Sequence, residues 1–363
     1  MKLIISGGGT GGHIFPAVAI ANEVRRRYPD AEILFVGANG RMEMTRVPEA
    51  GYDIVGLDIA GLQRSLTPRN LLFPVKVMRA VRKAGKLLEK FRPDAVVGVG
   101  GYASAPVLLA ATSRGIPALI QEQNSYAGLV NKLLARRVQR ICVAYEGMDK
   151  FFPADKLVLT GNPVRTEIAA GQRAEALAFF GLDDARPVLL VIGGSLGART
   201  LNQATAAALP RLREAGVQLL WQTGKAYFPD AEKQAAPFTA DNLKALEFVR
   251  RMDLAYAAAD VVISRAGALS VSELCLTGKP SILVPSPNVA EDHQTKNALA
   301  LTSKDAALLV RDADAAGKLY DEALTLLQNS TRQQQLAANI RQLARPYATA
   351  TIVDELLALI PKS

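Results

Sequence analysis

Two histidines occur in the 363 residues, and the first, His13, closes the run Gly7-Gly8-Gly9-Thr10-Gly11-Gly12. Five glycines in six positions let the backbone turn tightly and aim its N–H groups at an anion. A helix expected to begin near Phe15-Pro16 adds the open N–H groups and partial positive charge of its first turn. The chemistry on offer is a phosphate cradle beside one side chain able to exchange a proton near neutral pH. Gly7, Gly9 and Gly12 also fit a dinucleotide loop, or glycines serving helix–strand packing alone. Dinucleotide binding calls for an acid after the second strand, and Ile33–Val36 runs instead into Gly37-Ala38-Asn39-Gly40.

A second glycine run, Gly193-Gly194-Ser195-Leu196-Gly197, follows another apolar strand. It matches the nucleophile elbow of serine hydrolases. A triad would then depend on His293, and Asp292 beside it in sequence is poorly placed to orient its ring. The same glycines serve equally as a phosphate loop with Ser195 as hydroxyl donor, which is the favoured reading. Ser264–Glu273 is more specific: a strand end, small residues that admit a close ligand, and a helix from about Leu269. Its amides suit a diphosphate, and Glu273 suits two vicinal ribose hydroxyls; complementing the helix dipole is its other use. Pro285–Asn297, with Glu291, Asp292, His293 and Gln294, either presents an amide to sugar hydroxyls or is a capped helix start. Asp312-Ala-Asp314 resembles a cation-holding acidic pair but reads as a turn plus helix cap, so no metal site is expected. Glycine loops and helix termini can neutralise a leaving diphosphate instead.

Charge is unevenly spread. Residues 1–165 hold 23 Lys and Arg against 13 Asp and Glu, while the remainder is close to neutral. Lys76, Arg79, Lys83, Lys86 and Lys90 recur at helical spacing with Glu89 the one acid among them, after Arg64 and Arg69 and beside Val75, Val77 and Met78. A solvated helix face is the plain reading; the single sign points to an anionic leaflet. Nucleic acid is the rival partner, without aromatic interleaving or a recognition motif to support it.

The elements that must position these groups alternate. Strands are expected at Leu3–Ser6, Ile33–Val36, Ala95–Gly98, Ala118–Ile120 and Ile141–Ala144, then at Val188–Ile192, Gln218–Trp221, Val261–Ser264, Ser281–Val284 and Ala307–Val310. Amphipathic helices such as Asn202–Glu214 and Thr295–Thr302 lie between them. Such alternation implies parallel sheets covered on both faces. The length suggests two domains, here two doubly wound Rossmann-like α/β domains, with a linker near Gly161–Arg165 and carboxyl strand edges facing across a cleft. Cys142 and Cys275 sit in apolar contexts, as inert thiols of a reducing compartment would. The uncharged stretch Ala95–Ser113 holds Gly98, Gly100, Gly101 and Pro106, so strand, turn and helix fit it better than a membrane span. No signal peptide is readable.

Taken in order, Gly8–His13, Gly100–Pro106, Glu122-Gln-Asn124, Gly161–Arg165, Gly193–Ala198, Gly267–Glu273 and His293-Gln294 resemble the MurG-type family of bacterial peptidoglycan glycosyltransferases. The resemblance runs through most of the chain. It implies a GT-B fold with an acceptor- and membrane-facing domain over 1–163, completed by a helix within about 345–363 (near Thr349–Ile360), and a donor domain over 164–344. It implies inverting transfer of GlcNAc from UDP-GlcNAc to the 4-hydroxyl of undecaprenyl-diphospho-MurNAc-pentapeptide, at the cytoplasmic face of the inner membrane, in cell wall biogenesis. No cofactor is implied.

By the same resemblance Ser195 and Ala268, Leu269, Ser270, Val271, Ser272 and Glu273 hold diphosphate and ribose, and Arg165 and the Val249 backbone contact uracil. Gln294 and Asn124 orient the GlcNAc hydroxyls. Thr10, Gly11 and Gly12, with Gly101, Tyr102 and Ser104, face the diphosphates and acceptor, while Lys76, Arg79, Lys83 and Lys86 face the leaflet. His13 is the expected base and Glu122 the runner-up. The family's usual His before Glu-Gln-Asn is Gln121 here, which concentrates that role on His13, and a usual Gln in the second glycine loop is Leu196. Another UDP-sugar transferase, a Ser195 hydrolase and a non-catalytic nucleotide-binding scaffold are the alternatives.

Overall fold

Short apolar runs, each leading into a glycine turn or a loop, form two sheets in which every described strand pairing is parallel. The structure is a computed structural model that describes residues 1–59, 73–194 and 196–361. The expectations placed on Arg64, Arg69 and Ser195 lie outside the described residues. The chain divides into one unit of Met1–Val164 with Tyr347–Ser363 and a second of Arg165–Pro346.

The first unit carries β1 (Lys2–Ser6), β2 (Glu32–Ala38), β3 (Asp53–Leu57), β4 (Ala95–Gly98), β5 (Ala118–Glu122), β6 (Arg140–Val143) and β7 (Leu157–Leu159), in the order β3-β2-β1-β4-β5-β6-β7. Successive β1 side chains feed opposite faces. Ile4 joins Val36, Val96 and Leu108 on one side, while Leu3 and Ile5 join Ile14, Ile20 and Val97 on the other. That second face is completed by Ile352, Val353 and Leu356 of the helix Ala348–Leu357. Arg27 pairs there with Asp354 and donates to the Ala350 carbonyl at 3.2 Å, and Arg140 pairs with Glu355 at 3.1 Å.

The second unit carries β8 (Val188–Ile192), β9 (Gln218–Gln222), β10 (Leu243–Leu246), β11 (Val261–Ser264), β12 (Ser281–Leu283) and β13 (Leu308–Leu309), in the order β10-β9-β8-β11-β12-β13. In both sheets the order reverses beside the first strand, between β1 and β4 and between β8 and β11. Ligands of doubly wound sheets bind outside the carboxyl ends of the strands at this point. Both glycine runs and the Gly100 and Gly267 turns leave those ends. Both cysteines are buried, and burial pushes the Cys275 thiol up to about 12.

Several expected boundaries move. β3, β7 and β10 were not expected; each is the outer strand of its sheet, and β7 is only three residues long. The first helix begins at Gly11 rather than near Phe15-Pro16, because Thr10 takes the extended N-cap conformation and Pro16 sits inside the helix. Asp312–Asp314 is a 3-10 turn without a side-chain cap. Asp312 instead pairs with Arg265 and accepts from Thr200 at 2.9 Å, which ties loops together. The helix Phe73–Phe91 buries Ala80, Ala84 and Leu88 and leaves Lys76, Arg79, Lys83, Lys86 and Lys90 exposed.

Candidate active site

In the first unit, starting the helix at Gly11 places His13 in its first turn, with the ring folded back over the glycine run. His13 Nδ1 lies 3.0 Å from the Gly8 carbonyl and 3.4 Å from Thr10 Oγ1. A carbonyl only accepts, so Nδ1 carries the hydrogen, and the neutral ring's lone pair is on Nε2. Nε2 faces the turn after β4: a Cβ on Gly100 (φ +97°) would lie 2.9 Å from it. A Cβ on Gly101 (φ +83°) would overlap the Gly8 carbonyl. Both positions require glycine, and both pack one glycine turn against the other. Tyr102 projects outward, half exposed. Ser104, expected to face an acceptor, is instead fully buried, its hydroxyl donating to the Gly101 carbonyl at 2.9 Å.

The run differs from the expected phosphate cradle at two amides, the first being Gly7 N–H, which donates to the Val36 carbonyl at 3.2 Å. Gly9 N–H donates to Glu43 Oε2 at 2.8 Å, so that donor is already occupied. The amides of Gly11 and Gly12, at the open end of a 17-residue helix, remain as the group suited to an anion.

Glu122 ends β5, nearly fully buried. Its Oε1 accepts from the Asn124 amide at 3.1 Å and side chain at 3.4 Å, and its Oε2 accepts from the Gly128 amide at 2.9 Å and Asn131 Nδ2 at 2.8 Å. Four donors on two oxygens make this carboxylate the organiser of the loop that carries Asn124. Asn131 Nδ2 also comes within 3.8 Å of where a Gly100 Cβ would stand, so His13, Gly100, Asn131 and Glu122 form one neighbourhood. Gln121 is buried and bonded to Asn162 and Gln123, inside the fold.

In the second unit the Gly193–Gly197 turn leaves β8, and Gln222 ties it to the neighbouring loop. Gln222 Nε2 donates to the Gly194 carbonyl at 3.1 Å, and its Oε1 accepts from Val249 N–H at 2.9 Å. The Val249 amide hydrogen is therefore in use, which leaves its carbonyl as the backbone group offered to a base. After β11, Gly267 N-caps the ten-residue helix Ala268–Thr277. The N-terminus of that helix lies at the carboxyl end of β11. Glu273, in the second turn, accepts from the buried Tyr256 hydroxyl at 3.0 Å. Burial lifts the Glu273 carboxyl above its usual range, against the pull of that hydroxyl and of the Arg165 charge. Arg165 and Glu273 are thus brought together.

Gln294 lies in the first turn of the helix His293–Thr302, its Oε1 accepting from Ser286 N–H at 2.9 Å, so that of its two side-chain polar atoms Nε2 is the donor. Glu291 and Asp292, just before it, both adopt left-handed φ (56° and 50°), a conformation that costs energy and clusters at ligand-binding turns. Asn297 anchors the same helix to the Ala266 carbonyl at 3.2 Å. Among the described residues no group of three His, Cys, Asp or Glu side chains is arranged to hold a metal. A cavity of about 700 Å³, lined by Arg173, Asp260 and Lys279, opens at the amino ends of the strands, away from these loops.

Glu43, Tyr256, Gln222 and Asn131 went unremarked in the sequence. Each acts through a partner on another element, and only Glu43, three residues past the Asn39-Gly40 turn after β2, stands where an acid was sought.

Comparison with known proteins matches residues 3–143 to the glycosyltransferase family 28 N-terminal domain and residues 188–350 to the family 28 C-terminal domain. A relative from Parabacteroides distasonis, described as a UDP-N-acetylglucosamine--N-acetylmuramyl-(pentapeptide) pyrophosphoryl-undecaprenol N-acetylglucosamine transferase, is 55% identical over 99% of both chains. A Porphyromonas gingivalis protein with the same description is 56% identical over 99% of this chain and 96% of its own. The crystal structure of Acinetobacter baumannii MurG is similar with a TM-score of 0.82 and 32% identity, over 98% of this chain and 99% of that one.

Proposed function

This chain belongs to glycosyltransferase family 28, and from that membership we propose that it transfers N-acetylglucosamine from UDP-N-acetylglucosamine to undecaprenyl-pyrophosphoryl N-acetylmuramyl-pentapeptide. The observation that carries the reading is the pairing of the helix N-terminus after Gly267 with Glu273 one turn further on. A nucleoside diphosphate, with its diphosphate and its vicinal hydroxyls on one ribose ring, suits that combination.

The second unit holds the donor. The Ala268–Thr277 helix terminus faces the diphosphate and stabilises charge that develops as UDP departs. Glu273 accepts from the ribose hydroxyls, the Val249 carbonyl and Arg165 meet uracil, and Gln294 Nε2 donates to the sugar. The first unit supplies the base. The acceptor 4-hydroxyl oxygen adds to C1 of the sugar with inversion, the C1–O bond to UDP breaks with its electron pair leaving on UDP, and the hydroxyl proton passes to His13 Nε2. Glu122 acts behind this, by fixing Asn124 and Asn131.

The lipid-linked acceptor lies at a membrane. No described helix is long and apolar enough to cross one. The exposed cations of Phe73–Phe91, flanked by exposed Val75 and Met78, suit an anionic leaflet on its cytoplasmic side.

The test is UDP release from UDP-N-acetylglucosamine in EDTA, with and without a muramyl-pyrophosphoryl lipid analogue. Acceptor-dependent release with a matching disaccharide product is the expected result. Saturable UDP binding without acceptor-dependent release would sink the acceptor assignment.

A further inference from the structure

Glu43 is the first residue of the short helix Glu43–Glu49, and only 1% of it is exposed. Its carboxylate lies beneath the first glycine run and bridges two strand ends. Oε2 accepts from Gly9 N–H at 2.8 Å, and Oε1 accepts from Ala38 N–H, at the end of β2, at 3.0 Å. The backbone is shaped around it: a Cβ on Gly8 would overlap the carboxyl carbon, and one on Gly37 would lie 2.5 Å from Glu43 Cγ. In a dinucleotide-binding sheet the amides of this turn meet a phosphate. Here an internal carboxylate fills that role at Gly9.

The held segment is the one that orients His13, since the Gly8 carbonyl takes the hydrogen of His13 Nδ1. We infer that Glu43 is a positioning residue for the base: by clamping Gly9 it fixes the Gly8 carbonyl, which sets the His13 tautomer and so makes Nε2 the ring nitrogen that can take a proton. This rests on the reading of His13 as base. It assigns the first glycine run to holding a ring, with anion binding left to the helix amides beyond it.

Glu43→Gln keeps the shape but puts an NH₂ against one of the two amides, so one of them loses its acceptor. Gly37→Ala keeps the carboxyl group but displaces it, which provides a second variant independent of the first. With two histidines in the chain, ¹⁵N-histidine NMR of the full-length protein reads His13 directly, with His293→Gln used to assign the other signal. In both variants the Nδ1–H tautomer fraction of His13 should fall. The acid limb of kcat should move to lower pH, because the carbonyl that favours the protonated ring is lost. kcat should fall on the order of 10²-fold, the scale of a misplaced catalytic group, with the KM for UDP-N-acetylglucosamine unchanged.

Unaltered tautomer, acid limb and kcat in both variants would overturn the inference. So would a fall in kcat with tautomer and limb unmoved and Tm lowered, since that is a stability effect alone. If both variants shift the tautomer while His13→Ala retains full kcat, the ring is positioned by Glu43 and it is the base assignment that fails.

Discussion

His13 Nδ1 sits 3.0 Å from the carbonyl oxygen of Gly8, five residues earlier in the chain, so a backbone group decides which ring nitrogen carries the proton. In the proposed reaction the neutral ring presents Nε2 as base. His13→Ala is expected to lower kcat by about 10²–10⁴-fold, the usual contribution of a positioned general base, with little change in KM for UDP-N-acetylglucosamine. Steady-state kinetics with a soluble acceptor checks this, and near-normal kcat would remove His13 from the mechanism.

Gly100 bounds the same nitrogen. A methyl group there would stand 2.9 Å from Nε2 on a backbone at φ +97°, strained as well as obstructive. Gly100→Ala should therefore lose kcat while UDP affinity, measured by calorimetry, stays as in the unmodified protein. Equal losses in both would mean that the damage reaches beyond the first unit.

The Tyr256–Glu273 bond gives a pH signature. Ribose hydroxyls donate to an ionised carboxylate, so UDP binding is complete above the Glu273 pKa and declines as pH falls through it. Burial has raised that pKa, so the decline starts at a higher pH than an exposed glutamate would give. Tyr256→Phe removes a donor that favours the anion. It should push the decline to still higher pH and weaken UDP binding roughly 10-fold in mildly acidic buffer, the scale of a hydrogen bond to a charged group, and less at pH 8. Superimposable affinity curves for the two proteins would take Glu273 out of ribose binding.

On the cationic helix, Lys83 is a poor choice for substitution because its Nζ also donates to the Gly56 carbonyl at 2.8 Å. Lys76→Glu with Lys86→Glu avoids that confusion. The pair should weaken binding to vesicles containing anionic lipid by on the order of 1 kcal/mol per cation removed, and slow turnover on long-chain lipid while sparing a water-soluble acceptor. Equal losses on both acceptors would point to a role in substrate contact or folding.

The fold was readable where strands are buried on both faces. Ala95–Gly98, Val188–Ile192 and Val261–Ser264 are uninterrupted apolar runs, and the expected limits coincide with those observed. The outer strands carry a weaker signal: Asp53–Leu57 contains a glycine, Leu243–Lys244–Ala245–Leu246 a lysine, and Leu157–Leu159 is brief. Their strand character comes from a neighbour's edge rather than from their own composition. In the glycine loops the chain announces a ligand surface, but not who occupies each amide. Gly9 and Glu43 are 34 residues apart, Tyr256 and Glu273 are 17, and Gln222 and Val249 are 27. Each of these bonds joins residues on different elements that the parallel crossovers bring together, and no local spacing records it.

The first unit is assembled from two stretches of chain, Met1–Val164 and Tyr347–Ser363. Its sheet face around Leu3 and Ile5 lacks Ile352, Val353 and Leu356 until residues 347–363 are present. The Arg165–Pro346 unit, by contrast, is a single uninterrupted stretch. On a ribosome, where segments fold as they emerge, the order of completion is therefore the reverse of the order of synthesis. The Arg165–Pro346 unit can finish first, while the unit that carries His13 waits, with an apolar face uncovered, for residues 347–363.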